Sequence, residues 1–299
     1  MKKKTIGLLL LLLFYVVSFA LGFLVYHFIS PYMGELLALF IANTISTVIL
    51  WIIGIFLKSA SVYDPYWSVQ TVIYYVFLMI KYHAFNAGVI IYLCLILFWA
   101  IRLTTNFAIG FNDLSYIDWR YKNIKEKTGK FFQIVSLIGI HMIPTVIVYL
   151  ASIPAFMYIL SGYSFTAFNL IGLIIMFFAT LLEMTADIEM KKFIKNRTSR
   201  SEINRNGVWK NTRHPNYLGE ISFWYGVLLV YLIPSFSNIY VIIGAILNTL
   251  LFLFISIPLA EGNMQKYKEN FDQYKKETWM LLILPGKHSS NKETIESVE

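Results

Sequence analysis

The feature that most constrains this chain is the length of its apolar runs. Residues 5–28, 36–57, 87–107, 131–153, 168–186 and 239–260 are each nearly free of charge, and a helix needs roughly 20 such residues to cross the hydrocarbon core of a bilayer. Two further runs, 217–233 and the short 68–80, complete eight candidate spans. Lipid offers the backbone no hydrogen-bond partners, so segments of this kind form helices or closed barrels, and unbroken rather than alternating apolarity selects helices. The expected fold class is therefore an all-α polytopic membrane protein with about eight transmembrane helices, or seven if 68–80 does not cross. The composition agrees, being 58% hydrophobic and 14% charged.

The N-terminus, "MKKKTIGLLLLLLFYVVSFALGFLVYHF", has the basic flank of a signal peptide and a weak small-x-small site at Ser18–Ala20. Its apolar stretch runs from Ile6 to about Tyr26, whereas signal cores span about 7–15 residues, so it reads as a retained first helix. The net charge of +8 sits in short loops, where it orients a membrane protein instead of marking nucleic-acid binding. With Lys2–Lys4 inside and eight crossings, the interior collects Lys58, five basic residues in 120–130, eight in 191–213 and six in 266–292, and only Lys81 falls outside. Both termini are then cytoplasmic, and the Lys-, Ile- and Asn-rich usage points to a bacterial plasma membrane. The segment "NMQKYKENFDQYKKETWMLLILPG" mixes aromatics with lysines and predicts an interfacial helix ended by Pro285, followed by a disordered polar tail over 288–299.

A single cysteine, Cys94, rules out a disulfide framework and a Cys-based zinc site. The five histidines lack the spacing of a helical zinc site, so no metal is expected, and His141 reads as a satisfied core histidine.

Ionisable residues inside spans cost roughly 2.5–3.5 kcal/mol each on insertion scales, which makes them functional candidates. Here they recur four apart, on shared helix faces: Arg102 with Asn106, Glu183 with Asp187 and then Lys191, and Asn216 with Glu220, while Glu261 closes the last span. All four groups lie at the predicted cytoplasmic ends, and they predict one cofactor pocket open to the cytoplasm. In "NTRHPNYLGE" (211–220), Pro215 suits the first turn of a helix, whose unpaired N–H groups attract anions, and His214 precedes it in extended form. That is a candidate phosphate site without a Rossmann fingerprint or a P-loop.

These residues carry a resemblance. "GVWKNTRHPNYLGEISFWYGV" (207–227) resembles the C-terminal signature of the steroid 5-alpha-reductase-like membrane proteins, most closely the bacterial branch labelled DUF1295. "VYDPYWS" (62–68), "FWAIRLTTNF" (98–107), "DWRY" (118–121), "EMTADIEMKKF" (183–193) and "SIPLAEGNMQKYKENFDQYKKETWMLLIL" (256–284) match as well, so the likeness covers about 62–285. It implies additional N-terminal helices over 1–61, a family membrane domain over 62–287 and a tail beyond. It also implies a fold enclosing NADPH, with hydride delivered to an activated carbon–carbon double bond of a lipid-like enone. By the same resemblance Asn216 and Glu220 hold the nicotinamide end, and Glu183 and Asp187 lie along the cofactor, Glu183 standing where steroid reductases have an Asn. Arg102, Lys191, Arg197, Arg213 and Tyr267 serve phosphates and ribose, and Asn106, His214, Tyr217 and Glu261 complete the cofactor-binding set.

The steroid enzymes polarise their ketone with a Glu and a Tyr, and those places here hold the region of Asp64 and Trp99. Asp64, with Tyr66 beside it, is the expected catalytic replacement, since a carboxylic acid kept protonated by an apolar site can donate to a developing enolate. Two other classes remain open. The opening "RHPxYxG" also resembles isoprenylcysteine carboxyl methyltransferases, which bind S-adenosylmethionine, although "LAEGN" offers only Glu261 where those enzymes carry adjacent glutamates. A cofactor-free lipid-binding or transport protein would need a polar path across the bilayer, whereas the polar residues read as gathered at the inner ends. The sequence leaves the oligomeric state open.

Overall fold

The computed structural model describes residues 2–234 and 238–284. Helices follow one another as α1 (Lys2–Ile29), α2 (Glu35–Leu57), α3 (Tyr66–Lys81), α4 (Ala87–Gly110), α5 (Trp119–Thr128), α6 (Phe132–Val135), α7 (Ile143–Leu160), α8 (Asn169–Asn196), α9 (Pro215–Leu232), α10 (Ile242–Leu251), α11 (Ile257–Tyr267) and α12 (Phe271–Glu277). Among the described residues no strand forms beyond an isolated parallel bridge between Thr212 and Trp279.

Every predicted span is helical. Among the described residues six helical stretches are long and apolar enough to cross a membrane, namely Lys2–Tyr32, Glu35–Leu57, Ala87–Gly110, Trp119–Leu160, Asn169–Asn196 and Ile239–Tyr267. The chain is thus a multi-pass integral membrane protein, and α3 and α9, the other two of the eight spans counted from the sequence, fall short of that length and apolarity. At 1.5 Å per residue the 16 residues of α3 reach about 24 Å, short of a hydrocarbon core of about 30 Å. Helix α9 has 18 residues but carries Asn216 and Glu220 in its first two turns.

Two boundaries differ from the sequence reading. The basic stretch 120–130, expected as a loop, is helical: Asp118 caps α5 by accepting from Arg120 N at 2.9 Å. Helical backbone then continues through a π-helical turn at Ser136–Met142 into α7. The expected single interfacial helix is instead the end of α11, the short α12 and an extended segment. Asn270 in the left-handed conformation (φ 55) breaks the helix between α11 and α12. Pro285 and the 288–299 tail lie outside the described residues.

The described residues form two compact units, one within 2–180 and 222–250, the other within 181–221 and 251–284. In the first, α1 and α2 belong to the same body as the helices that follow. Its core is aromatic: Phe19 stacks on Tyr66 at 5.2 Å, and Trp99 stacks on Phe223 at 4.8 Å with Trp224 edge-on. Backbones approach closely where side chains are small. A Cβ on Gly22 would meet Ala42 O at 2.7 Å, and one on Gly172 would meet Gly226 O at 2.6 Å, the small-residue crossing that substitutes for hydrophobic drive in lipid. Leu9, Leu12, Val16 and Leu24 of α1 face outward, each more than half exposed.

Neutral polar residues also join within the spans of this unit, which the sequence reading did not anticipate. Tyr66 donates to Asn43 Oδ1 at 2.7 Å and Asn43 donates to Gln70 Oε1 at 2.6 Å. Thr145 Oγ1 is shared by Tyr63 at 2.7 Å and Thr47 at 2.9 Å, and Thr71 meets Ser152 at 2.9 Å. Buried polar groups of this kind need partners, and these contacts supply them, although Gln70 Nε2 finds none among the described residues.

Candidate functional site

In the first unit, two short non-span segments run side by side in a fixed register. Ser59 Oγ donates to Tyr116 O at 2.5 Å, Asp118 N donates to Ser61 Oγ at 2.8 Å, and the Tyr121 hydroxyl donates to Asp64 Oδ1, each pair being separated by 57 residues. Tyr15 fastens the first segment from α1 by donating to Val62 O at 2.8 Å. The consequence is a carboxyl group, Asp64, held in protein with a phenol on one oxygen.

Charges around Asp64 are arranged asymmetrically. Arg120 forks onto Asp118, with Nε 2.8 Å from Oδ1 and a terminal nitrogen 3.2 Å from Oδ2. Burial pushes Asp64 up to about 7 from its ordinary value near 3.8, against the downward pull of the Arg120 charge and of the bonds from Tyr121 and Ser61. Asp64 is therefore divided between acid and carboxylate near neutrality, with Tyr121 donating to one of its oxygens.

Tyr66, expected beside Asp64 as its partner, is fully buried and directs its hydroxyl to Asn43. The phenol that meets Asp64 is Tyr121. The signal for it was present in "DWRY", a polar cluster in a connector, but a separation of 57 residues cannot be read as proximity from sequence.

The second unit contains most of the residues expected at a cofactor. Glu183 on α8 and Glu220 on α9 are buried, at 1% and 4% exposure, and both make interactions within the protein. Asp187 is half-buried, Lys191 is exposed and Arg197 is half-buried at the end of α8. Pro215 opens α9 as expected, and Asn216 and Tyr217 follow it, partly exposed.

Glu261 organises this end of the chain. Its carboxylate accepts from Arg213 Nε at 2.8 Å and His214 Nε2 at 3.2 Å on one oxygen, and from Lys275 Nζ at 3.2 Å on the other. Arg213 also donates to the carbonyls of Thr278 at 2.7 Å and Lys275 at 3.2 Å, while Arg213 N donates to Trp279 O at 2.9 Å. Arg213, expected at a phosphate, thus ties the segment before α9 to the segment after α12. His214 is stacked on Tyr217 at 5.2 Å, and burial holds its pKa below the ordinary range despite the pull of Glu261, so it is neutral at pH 7 and donates through Nε2.

The basic loop after α8 is ordered from within. Glu202 Oε1 accepts from Thr198 N, Thr198 Oγ1 and Ser199 N at 2.7–2.8 Å, and Lys268 Nζ donates to Arg200 O at 3.0 Å. Arg200 lies over the Tyr267 ring at 4.0 Å, and Arg205 pairs with Glu277. Arg102 and Asn106 lie on α4 in the first unit, both partly buried. Among the described residues no group of His, Cys, Asp and Glu is placed to hold a metal ion.

A family model described as "Protein of unknown function (DUF1295)" matches residues 50–278. An uncharacterized protein of the fission yeast Schizosaccharomyces pombe is 24% identical over 237 residues, covering 71% of this chain and 68% of its own length. No solved structure matches.

Proposed function

From the premise that the chain belongs to the DUF1295 family, a membership consistent with the steroid 5-alpha-reductase-like resemblance, we propose that it is a membrane-embedded, NADPH-dependent reductase acting on an activated C=C bond of a lipid-like enone. The observation that carries this reading is Asp64, a carboxyl group poised near neutrality with Tyr121 on one oxygen. Reduction of an enone places negative charge on the carbonyl oxygen, and a neutral acid aimed at that oxygen lowers the barrier because its bond strengthens as the charge grows.

NADPH, when bound, supplies the hydride. The chain's own residues bind, orient and protonate. Asp64 gives its proton to the enolate oxygen, Tyr121 holds the resulting carboxylate by continuing to donate to Oδ1, and Arg120 stabilises it through space. Asn216 and Glu220 suit a carboxamide, for which an amide and a carboxyl supply both donor and acceptor. Lys191 and Arg197 suit phosphates, Arg197 by its planar fork. With Arg213 engaged by Glu261, its part toward the cofactor is to position His214 and the start of α9.

Titration with NADPH and NADH tests the proposal. NADPH is expected to bind more tightly, with Arg197→Ala narrowing the difference and Glu220→Ala weakening NADPH by roughly ten- to a hundredfold, from about 1–3 kcal/mol of unpaired polar group. Asp64→Asn should leave that affinity nearly unchanged and slow single-turnover oxidation with an enone panel. If neither dinucleotide binds, and native mass spectrometry of gently purified protein finds S-adenosylmethionine instead, the methyltransferase reading replaces this one.

A further inference from the structure

One cavity of the first unit takes no part in the hydride chemistry, and it lies where α1 starts. Its volume is ≈ 340 Å³, within the range of about 300–1,000 Å³ over which small-molecule pockets fall. Lys3, Ile6 and Leu10 wall it from α1, and Asp113 and Leu114 from the turn after α4. Two contacts fix these walls against each other. Lys4 Nζ donates to Ile109 O at 3.0 Å, and Gly7 leaves room for the Phe111 ring, which a Cβ there would meet at 3.0 Å. The space can be entered from outside, because Lys3, Ile6 and Ser115 on its lining are exposed.

The two ends of this cavity differ in chemistry. Lys3, Ile6, Leu10 and Leu13 recur at helical spacing along one face of α1, charged first and apolar after. Leu13 is 52% exposed, so an apolar stripe leads on from the cavity. At the polar end stand two opposite charges that do not pair directly. Asp113 Oδ1 accepts from Ser115 N at 2.8 Å and from Ser115 Oγ at 2.5 Å, which fixes the carboxylate and leaves Oδ2 without a hydrogen bond among the described residues. The Lys3 ammonium makes no hydrogen bond or ion pair among them either. Its charge nevertheless reaches Asp113 and, after the two Ser115 bonds, helps to hold that carboxylate below its ordinary range. Cation and anion therefore border one space at a separation longer than a direct ion pair.

We propose that this cavity holds the head of a zwitterionic phospholipid with a primary ammonium group, its phosphate meeting Lys3, its ammonium meeting Asp113 Oδ2, and an acyl chain running along Ile6, Leu10 and Leu13. The depth agrees, since the apolar run of α1 begins at Ile6 and basic residues just ahead of a span lie among headgroups. A head with both charges satisfies both residues, whereas an anionic head brings further negative charge to Asp113. A quaternary choline head has no N–H to donate to the carboxylate. The bound lipid joins the start of α1 to the turn after α4, beside the Lys4 contact.

The proposal is independent of the reductase reading. Full-length protein in a non-ionic detergent is titrated separately with phosphatidylethanolamine, phosphatidylcholine and phosphatidylglycerol of the same acyl chains, and bound lipid is counted by native mass spectrometry. Phosphatidylethanolamine is expected to bind about tenfold more tightly than either of the others, the scale of one charge-assisted hydrogen bond. Asp113→Asn keeps an oxygen to accept from Ser115 and should bring the three lipids level. Lys3→Gln, at an exposed position ahead of the span, should weaken all three by about tenfold. The difference between the parent and Lys3→Gln isolates this site from lipid bound elsewhere, and the preference must appear in that difference even if Asp113→Asn loses the turn. Equal binding of the three lipids, tighter binding of phosphatidylglycerol, or an undiminished preference in Asp113→Asn would overturn the proposal, the second outcome marking an anionic-lipid site instead.

Discussion

Asp64→Asn should make the protein's stability less dependent on pH, and the size of the change follows from the acid cluster. Asparagine keeps an oxygen to accept from Tyr121 and removes only the ionisation. In the parent, burial raises the folded-state value to about 7 from about 3.8. A carboxyl whose folded pKa is raised stabilises the fold fully below its unfolded pKa and loses that contribution as pH rises through the folded one. Between pH 5 and pH 8.5 the loss covers the interval from 5 to about 7, or about 3 kcal/mol at 1.36 kcal/mol per unit. For a chain of this size that corresponds to a fall of about 5–10 °C in Tm. The assay is thermal unfolding in one detergent at both pH values, parent beside variant. The parent should lose several degrees more than Asp64→Asn over this range. Equal pH slopes would refute the reasoning, because they would mean that Asp64 ionises as it does in water.

Three other outcomes can be checked. Arg213→Ala strips a buried cation from Glu261 and two carbonyls from their donor, so thermal melts should show a loss near the lower end of the roughly 3–5 kcal/mol typical of broken buried pairs, because Lys275 still faces Glu261. Gly22→Ala gains about 0.5–1 kcal/mol of helix propensity but drives a methyl into Ala42 O and Ser46 Oγ, and overpacking of about 1–3 kcal/mol wins, giving a lower Tm. Reporter fusions after residues 33, 125, 165 and 290 should read out, in, out, in for eight crossings, and the same side at 33 and 290 would show that α3 does not cross.

The sequence by itself determined the helices and the class of environment, because bilayer-length apolar runs admit few folds and the signal is local. Pro215 at the start of α9 was likewise legible, since first-turn chemistry acts over three or four residues, whereas the helix that Asp118 caps was read as a loop. Charge was legible in amount and not in use: Arg213 looks like an anion ligand in "RHP" and is taken up by Glu261, 48 residues away. Tertiary structure alone decided that Tyr121 rather than Tyr66 meets Asp64, because a pairing 57 residues apart leaves no periodic trace in either segment. It also decided that Asn43 and Gln70 join inside the spans and that His141 keeps one nitrogen without a partner among the described residues. Helical periodicity gives the face a residue occupies, but the partner on that face comes from another helix, and only packing brings the two together.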